Sequence, residues 1–181
     1  MSEERLFTYE LKIPKDRIAV LIGQKGETKQ QLERQTNSKI DVDSVEGEVR
    51  ITGSDAIHLY TLREIVRAIS RGFSPDIACM LLKQDVGFEQ MSIVHYGATK
   101  KDILRLKGRV IGEEGKARRL IEELTQCNIS VYGKTVAIIG QYDWLPLARK
   151  AIEALLSGAP HAVVYKMLER RRKELRNHFN G

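Results

Sequence analysis

Two segments of this 181-residue sequence repeat one another, and the repeat restricts what the chain can fold into. The first segment reads IGQKGETKQQLERQTNSKIDV over residues 22–42, and the second reads IGEEGKARRLIEELTQCNISV over residues 111–131. Farther along the chain, after a shift of two residues, VRITG at residues 49–53 matches VAIIG at residues 136–140. Similarity that keeps its order over this length predicts two copies of one domain.

Each copy has the periodicity of a small α+β domain with the order strand, helix, helix, strand, strand, helix. Alternating apolar residues predict strands, and apolar residues spaced by three or four predict helices. A long helix follows Asp55, which stands at the position of an N-cap, and Asp143 stands near the start of the corresponding helix. One further helix follows in each copy. We expect the first domain within residues 1–85 and the second within residues 91–181, with its first strand from Ser92. The shorter elements of the first copy are predicted at Phe7–Ile13, Asp16–Ile22, Glu27–Gln35, Ser38–Asp43 and residues 49–51.

A short glycine turn joins the first two predicted helices in each copy. It reads Gly23-Gln24-Lys25-Gly26 in the first copy and Gly112-Glu113-Glu114-Gly115 in the second. A helix N-terminus presents unpaired N–H groups and a partial positive charge, so phosphate binds there when the preceding loop has little side-chain bulk. A single turn of this kind can be a simple corner between helices, but two at matching positions indicate a site for a sugar–phosphate backbone. The basic residues predicted to assist are Lys29 in the first copy and Lys107, Arg109, Lys116, Arg118 and Arg119 in the second.

The stretches IGQKGETKQQLERQT and IGEEGKARRLIEELT resemble the KH family of RNA-binding domains, whose GXXG loop clamps the backbone of about four nucleotides. The resemblance covers nearly all of the chain and implies two tandem type I KH domains, each a three-stranded antiparallel sheet packed on helices. It also implies that single-stranded RNA lies in a shallow groove between the GXXG loop with its two helices and the second strand with the loop after it. The implied apolar floor of the two grooves comprises Ile18, Leu21, Ile22 and Ile40, and Leu106, Val110, Ile111 and Ile129. The alternative for each of these residues is ordinary core packing.

Charge is distributed unequally between the two copies. Residues 1–90 carry 13 Lys+Arg and 15 Asp+Glu, a net charge of −2, whereas residues 91–181 carry 17 and 9, a net charge of +8. Because long-range attraction to phosphates supplies most non-specific affinity for nucleic acid, we predict that the second copy is the main RNA site. Glu113 and Glu114 oppose this prediction unless they point away or pair with nearby arginines. Lys134 and the run Arg170-Arg171-Arg172-Lys173 add positive charge, although such a run is also typical of a solvated helix face.

Three stretches of the second copy resemble one group of KH proteins more closely. They are GRVIGEEGKARRLIEELT, ISVYGKTVAIIG and LLSGAPHAVVYKMLERRRKEL. The group is that of the archaeal tandem KH proteins related to the eukaryotic partner-of-NOB pre-rRNA processing factor. This resemblance implies a role in maturing the small ribosomal subunit, with the second KH domain on RNA near the 3′ end of the small-subunit rRNA. It further implies two protein partners, the endonuclease that trims that end and the alpha subunit of translation initiation factor two.

No group of residues with a catalytic pattern is evident, and we predict that the protein is not an enzyme and needs no cofactor. There is no P-loop motif, and His58, His95, His161 and His178 lack metal-ligand spacing. Asp41 and Asp43 would share one face of a strand, where surface solvation is the expected role. Two alternatives to RNA binding remain. One is a protein-binding adaptor that docks another factor on its first repeat, and the other is a binder of single-stranded DNA.

The sequence also predicts where the chain resides. No stretch approaches the roughly 18 consecutive apolar residues that span a bilayer. The polar start at Met1–Arg5 is not followed by the apolar core of a secretory signal, so we expect a cytoplasmic protein without membrane contact. Cys79 and Cys127 are predicted to be buried free thiols, since both lie in segments with the pattern of packed secondary structure.

Overall fold

The structure is a computed structural model that describes residues 5–179. Residues 1–4 and 180–181, at the outer ends of the two expected domains, lie outside the described part. The chain separates into two compact units, Met1–Gln84 and Asp85–Gly181. Two tandem α+β units with antiparallel sheets confirm the predicted fold class.

In the first unit, three antiparallel strands form a sheet in the order β1-β3-β2. The alternation of the strands places Ile40, Val49 and Ile51 in the core, whereas Arg50 stands between Glu10 and Asp41 on the opposite face. Buried leucines and isoleucines of α3 complete that core. The elements are β1 (Phe7–Lys12), α1 (Lys15–Ile22), α2 (Glu27–Thr36), β2 (Ser38–Asp43), β3 (Glu48–Gly53), α3 (Ala56–Ser70) and a short α4 (Pro75–Ala78).

The second unit repeats this arrangement, with strand order β4-β6-β5, and adds a long C-terminal helix. That helix, α8, packs on α6 and α7 and contributes Val164 and Leu168 to the core. The elements are β4 (Val86–Ser92), α5 (Lys100–Ile111), α6 (Lys116–Thr125), β5 (Asn128–Tyr132), β6 (Thr135–Gln141), α7 (Leu145–Leu156) and α8 (His161–Phe179).

The first strand of the second unit differs from the expectation, because it ends at Ser92 rather than beginning there. Its residues do not alternate cleanly between apolar and polar. Glu89 occupies a position equivalent to an inward-facing residue and pairs with Arg149 of α7, with Nη1 and Oε2 at 2.7 Å. The Glu89–Arg149 ion pair therefore stands where an apolar residue would complete the apolar–polar alternation of this strand.

The two long helices begin in different ways despite the similar sequences before them. Asp55 caps α3, and its Oδ1 accepts hydrogen bonds from the N–H groups of Ile57 and His58, both at 2.9 Å. The N-cap of α7 is Trp144, whose side chain makes no capping hydrogen bond. Pro146 lies in the first turn, where its lack of an N–H group costs no helical hydrogen bond. Asp143 lies before this helix and is not its cap.

Both cysteines are free thiols, but their burial differs from the prediction in one case. Cys127 is buried beside Gly140, where only a glycine leaves room for its sulfur. Cys79 is only partly buried, because it lies in a single 3-10 turn, Cys79–Leu82, at the surface of the first unit. Among residues 5–179, no helix is long and apolar enough to cross a membrane.

Candidate nucleic-acid interface

The two glycine turns have nearly the same backbone geometry. Gly23 and Gly112 have φ/ψ of 74°/176° and 73°/176°, and Lys25 and Glu114 have 53°/26° and 51°/26°. Each turn then ends on a glycine in the left-handed conformation, with φ of 77° at Gly26 and 74° at Gly115. The two copies thus build the same loop, although they differ in charge at both central positions.

The first glycine of each turn is required by the helix that follows. A Cβ at Gly23 would lie 2.8 Å from the backbone nitrogen of Thr28, and a Cβ at Gly112 would lie 2.8 Å from that of Ala117. Both distances are shorter than real Cβ contacts, and the positive φ adds strain for any other residue. The second glycine has more room, because the nearest atom to a Cβ at Gly115 is Nη1 of Arg119 at 3.2 Å.

The helices after the turns begin without a side-chain cap. The N-cap residues of α2 and α6 are Gly26 and Gly115, and no side chain in the described residues caps either helix. The first N–H of each helix, that of Glu27 or Lys116, donates to the carbonyl oxygen of Gln24 or Glu113 within the turn. The helix dipole still favours an anion at this position. The geometry suits a phosphate of a nucleic-acid backbone.

In the second unit, basic side chains surround the turn. Arg119 is exposed and adjoins Gly115, and Arg118 has its Nη2 4.0 Å from the same Cβ position. Lys116 opens α6, and Lys107 is partly exposed in the last turns of α5. Glu113 and Glu114 are exposed, and neither is in an ion pair within residues 5–179. Of the two alternatives for these carboxylates, pairing with arginines is absent from the described residues, and both side chains are in solvent.

In the first unit the central turn residues Gln24 and Lys25 are also exposed, but α2 offers less free positive charge. Lys29 pairs with Glu33, with Nζ and Oε1 at 3.4 Å. Arg118 occupies the equivalent place in the second unit and pairs with Glu122 at 3.1 Å. The position of this basic residue is thus common to both units, whereas Lys116 and Arg119 stand where the first unit has Glu27 and Gln30.

Comparison with known proteins identifies the family. The profile for the second KH domain of Pno1 proteins, described as eukaryotic type KH-domain (KH-domain type I), matches residues 87–173. The general KH domain profile matches residues 8–63. A KH domain-containing protein of Methanocaldococcus jannaschii is 48% identical over 170 residues, which cover 92% of this chain and 74% of that protein. The chain belongs to the KH family. Its two units are tandem KH domains, as the sequence predicted.

Two further relatives refine this assignment. The pre-rRNA-processing protein pno1 of Aspergillus fumigatus is 28% identical over 119 residues, which cover 64% of this chain and 47% of that protein. The chain thus spans about half the length of this eukaryotic relative. The crystal structure of the a/eIF2alpha–aDim2p–rRNA complex from Pyrococcus horikoshii contains a chain 46% identical to this one. Its TM-score is 0.88, and the match covers 93% of this chain and 96% of that chain.

The apolar floor of each KH groove is smaller than the sequence suggested. Six of the eight residues assigned to it are buried and form part of the core, which is the alternative interpretation. Only Ile22 and Ile111, directly before the first glycine of each turn, keep exposed surface. A base lying on the floor would therefore contact these two residues. The six core residues are Ile18, Leu21, Ile40, Leu106, Val110 and Ile129.

Arg109, predicted to contact RNA, has its guanidinium engaged within the KH fold. Nε donates to the carbonyl oxygen of Leu155 at 2.8 Å, and Nη2 donates to that of Ala159. Arg17 makes the same pair of bonds in the first domain, to the carbonyls of Ile69 and Phe73. Both arginines attach the helix before the GXXG loop to the end of the long helix. Sequence reasoning missed this role, since main-chain acceptors leave no residue signature.

Other residues considered for function have structural partners or stand apart from the grooves. Asp43 accepts hydrogen bonds from the N–H groups of Glu46 and Val45, and these bonds lower the pKa of its carboxyl. It therefore shapes the turn between β2 and β3. Arg170 and Arg171 pair with Glu174 on α8, at 3.1 and 2.9 Å. Within the described residues, no three His, Cys, Asp or Glu side chains are grouped closely enough to hold a metal ion.

Proposed function

We propose that this protein binds single-stranded RNA at the 3′ end region of small-subunit rRNA, during ribosome assembly and pre-rRNA processing. The observation that carries the proposal is the matching backbone of the two GXXG loops, each directly before a helix that no side chain of the described residues caps. The related proteins support the choice of RNA. One is named for pre-rRNA processing, and aDim2p was crystallised with rRNA.

The second KH domain carries most of the affinity in this proposal. Phosphates lie at the N-terminus of α6, where the helix dipole favours negative charge, and the exposed guanidinium of Arg119 beside Gly115 adds a charge-assisted contact. Lys107, Lys116 and Lys134 contribute long-range attraction rather than a fixed contact. The first domain contributes Gln24, Lys25 and the N-terminus of α2 as a weaker second site.

The protein acts without catalysing a reaction, as a cytoplasmic RNA-binding partner of other factors. The alpha subunit of translation initiation factor two is one proposed partner, because the Pyrococcus horikoshii complex contains a/eIF2alpha. The endonuclease that trims the 3′ end of the rRNA is the other. The Pyrococcus horikoshii complex supports the first partner, and the second rests on the resemblance in the sequence alone.

The first test is a titration of a labelled RNA copied from the 3′ end of small-subunit rRNA, with a scrambled RNA of equal length as competitor. We expect tight binding that the scrambled RNA does not displace. Weak binding that is equal for both RNAs and disappears with added salt would contradict the sequence-specific part of the proposal. A single-stranded DNA of the same sequence, used as a second competitor, tests the choice of sugar.

Substitution at the second loop tests the site itself. The double variant Gly112→Asp, Gly115→Asp places two carboxylates at the phosphate position and should abolish binding. Because a Cβ at Gly112 collides with Ala117, the single variant Gly115→Asp is the better-folded reagent. It should weaken binding by about 100-fold, the loss of roughly 2.7 kcal/mol. A folded Gly115→Asp protein with unchanged affinity would exclude this loop as the main site, and Lys25→Ala should cost less.

A further inference from the structure

Aromatic rings and arginines alternate along one edge of the first KH domain. Phe7 and Tyr9 lie on β1, Tyr60 and Arg63 lie on α3, and Arg5 precedes the strand. The guanidinium carbon of Arg63 is 5.1 Å from the ring centre of Tyr9 and 5.9 Å from that of Tyr60. That of Arg5 is 5.9 Å from the ring centre of Phe7. We call these five residues the aromatic edge.

The second KH domain fills the corresponding positions differently. Phe7 pairs with Gly53 in the first sheet, and Gly87 pairs with the equivalent Gly140 in the second. Two residues farther along, Tyr9 corresponds to Glu89. On the long helix, Tyr60 and Arg63 correspond to Pro146 and Arg149, so the cation–π contact of Arg63 is replaced by the Arg149–Glu89 ion pair. One ring, that of Tyr142, lies against Gly87 in the second domain, and the group of three rings with two arginines is particular to the first.

The aromatic edge is exposed, and its strand has an unpaired side. Tyr60 is 50% exposed and Phe7 is 37% exposed, and the neighbouring Leu6 and Ile57 are more exposed still. Within the described residues, β1 pairs only with β3, so the N–H and C=O groups on its outer side have no strand partner. An exposed apolar patch beside an open sheet edge is typical of a site where another strand adds.

Nucleic acid is the less suitable occupant of this surface. The KH groove borders β2, and β1 is the strand at the opposite edge of the same sheet. The sheet face between them carries four carboxylates against three basic groups, so an RNA leaving the groove across it would meet net negative charge. The carboxylates belong to Glu10, Asp41, Asp43 and Glu48, and the basic groups to Lys12, Lys39 and Arg50.

We propose that the aromatic edge docks an extended segment of a partner protein, which adds to β1 as a fourth strand and presents acidic side chains to Arg5 and Arg63. Apolar side chains of the segment pack on Phe7, Tyr9 and Tyr60, and its main chain bonds to the outer side of β1. Aromatic and arginine side chains are the residues most enriched at such contacts, which supports a protein as the occupant. The interaction is independent of RNA in the KH grooves.

The test uses the full chain, labelled with ¹⁵N, and two synthetic peptides of about eight residues, a typical strand length. One peptide alternates Val or Phe with Asp, and the other alternates Val or Phe with Lys. We expect the acidic peptide at about 1 mM to shift amide signals of β1 and of the outer face of α3, and the basic peptide to shift neither. The double variant Phe7→Ser, Tyr60→Ser should bind the acidic peptide at least about tenfold more weakly.

Two controls separate this surface from the RNA site. The variant Val163→Ser removes an exposed apolar side chain from α8 of the second domain and should bind the peptide like the unchanged protein. The Phe7→Ser, Tyr60→Ser variant should keep its affinity for rRNA, so failure of one proposal leaves the other standing. Tyr60→Ser alone serves if the double variant does not fold, since that side chain is half exposed.

Three outcomes would overturn the docking proposal. The first is an acidic peptide that leaves β1 and α3 unshifted, and the second is equal binding of the acidic and basic peptides. The third is a set of β1 and α3 signals that respond to single-stranded RNA and lose this response in the Tyr60→Ser variant, which would assign the aromatic edge to nucleic acid.

Discussion

The carboxylate of Glu122 accepts a hydrogen bond from the N–H of Ile129, with Oε1 and N at 2.9 Å. Glu33 and Ile40 have the same relation in the first KH domain, at 2.8 Å. Each bond joins the helix after a GXXG loop to the first residues of the strand on the other side of the groove. One glutamate in each domain therefore joins the two walls of the groove.

Replacement of Glu122 by alanine should loosen the second groove and destabilise its domain. The substitution removes the bond to Ile129 and the ion pair with Arg118, and it leaves a main-chain N–H without its partner. A hydrogen bond to a charged group contributes about 1.5–3 kcal/mol, and partial exposure of Glu122 places the expected loss at the lower end. Urea unfolding followed by the fluorescence of Trp144, the single tryptophan, measures the change in this domain.

Glu123→Ala is the matched control for that experiment, because Glu123 is the exposed neighbour of Glu122 on the same helix. Its free energy of unfolding should stay within about 0.5 kcal/mol of the unchanged protein. Equal losses for the two variants would show that the contact with Ile129 does not hold the groove wall.

The repeat and its periodicity were enough to predict the order of the elements, the position of both GXXG loops and the two-domain organisation. These features depend on local patterns of apolar residues and on glycines that a positive φ requires. Long-range contacts were beyond that reasoning. The acceptors of Arg109 are main-chain oxygens 46 and 50 residues away, and an acceptor of that kind can belong to any residue. Similarly, core residues of α5 and residues of the groove floor have the same apolar spacing. The sequence alone therefore does not show that Val110 is buried in the core whereas Ile111 keeps exposed surface.

The structural role of Arg109 leads to a prediction with two opposite readouts. Arg109→Lys keeps the positive charge but cannot donate to both Leu155 and Ala159 in the same geometry. We expect a loss of roughly 1–3 kcal/mol in the free energy of unfolding and little change in RNA affinity under conditions where the protein is folded. Lys107→Ala should do the reverse, with unchanged stability and a salt slope that is shallower by about one. Weak RNA binding by a fully folded Arg109→Lys protein would show instead that Arg109 contacts RNA.

Exchange of the loop charges should raise the affinity of the second domain. Glu113→Gln with Glu114→Lys reproduces the first loop, Gln24-Lys25, on a backbone that differs from it by only a few degrees. The change adds three units of positive charge at the phosphate position, so we expect RNA affinity to rise by at least about tenfold at about 50 mM salt and by less at about 200 mM. Fluorescence anisotropy at both salt concentrations measures the difference. An unchanged or lower affinity would mean that Glu113 and Glu114 take part in recognition.

The buried thiol of Cys127 makes the stability of the second domain sensitive to alkaline pH. Burial raises the pKa of this thiol to about 11, above the value of 9.0 for an exposed thiol. In this range the folded chain keeps a proton that the unfolded chain releases, so the contribution of the thiol is fully present below pH 9 and is lost as the pH rises toward 11. At about pH 10 the loss relative to about pH 8 should be roughly 1.4 kcal/mol.

The reference for this prediction is Cys127→Ala, which has no thiol to titrate. Both proteins are unfolded in urea at the two pH values, with Trp144 fluorescence as the probe. The unchanged protein should lose about 1.4 kcal/mol more than Cys127→Ala between the two conditions. Equal losses would mean that the thiol ionises as easily in the folded domain as in the unfolded chain, and its burial beside Gly140 would then not exclude the charged form.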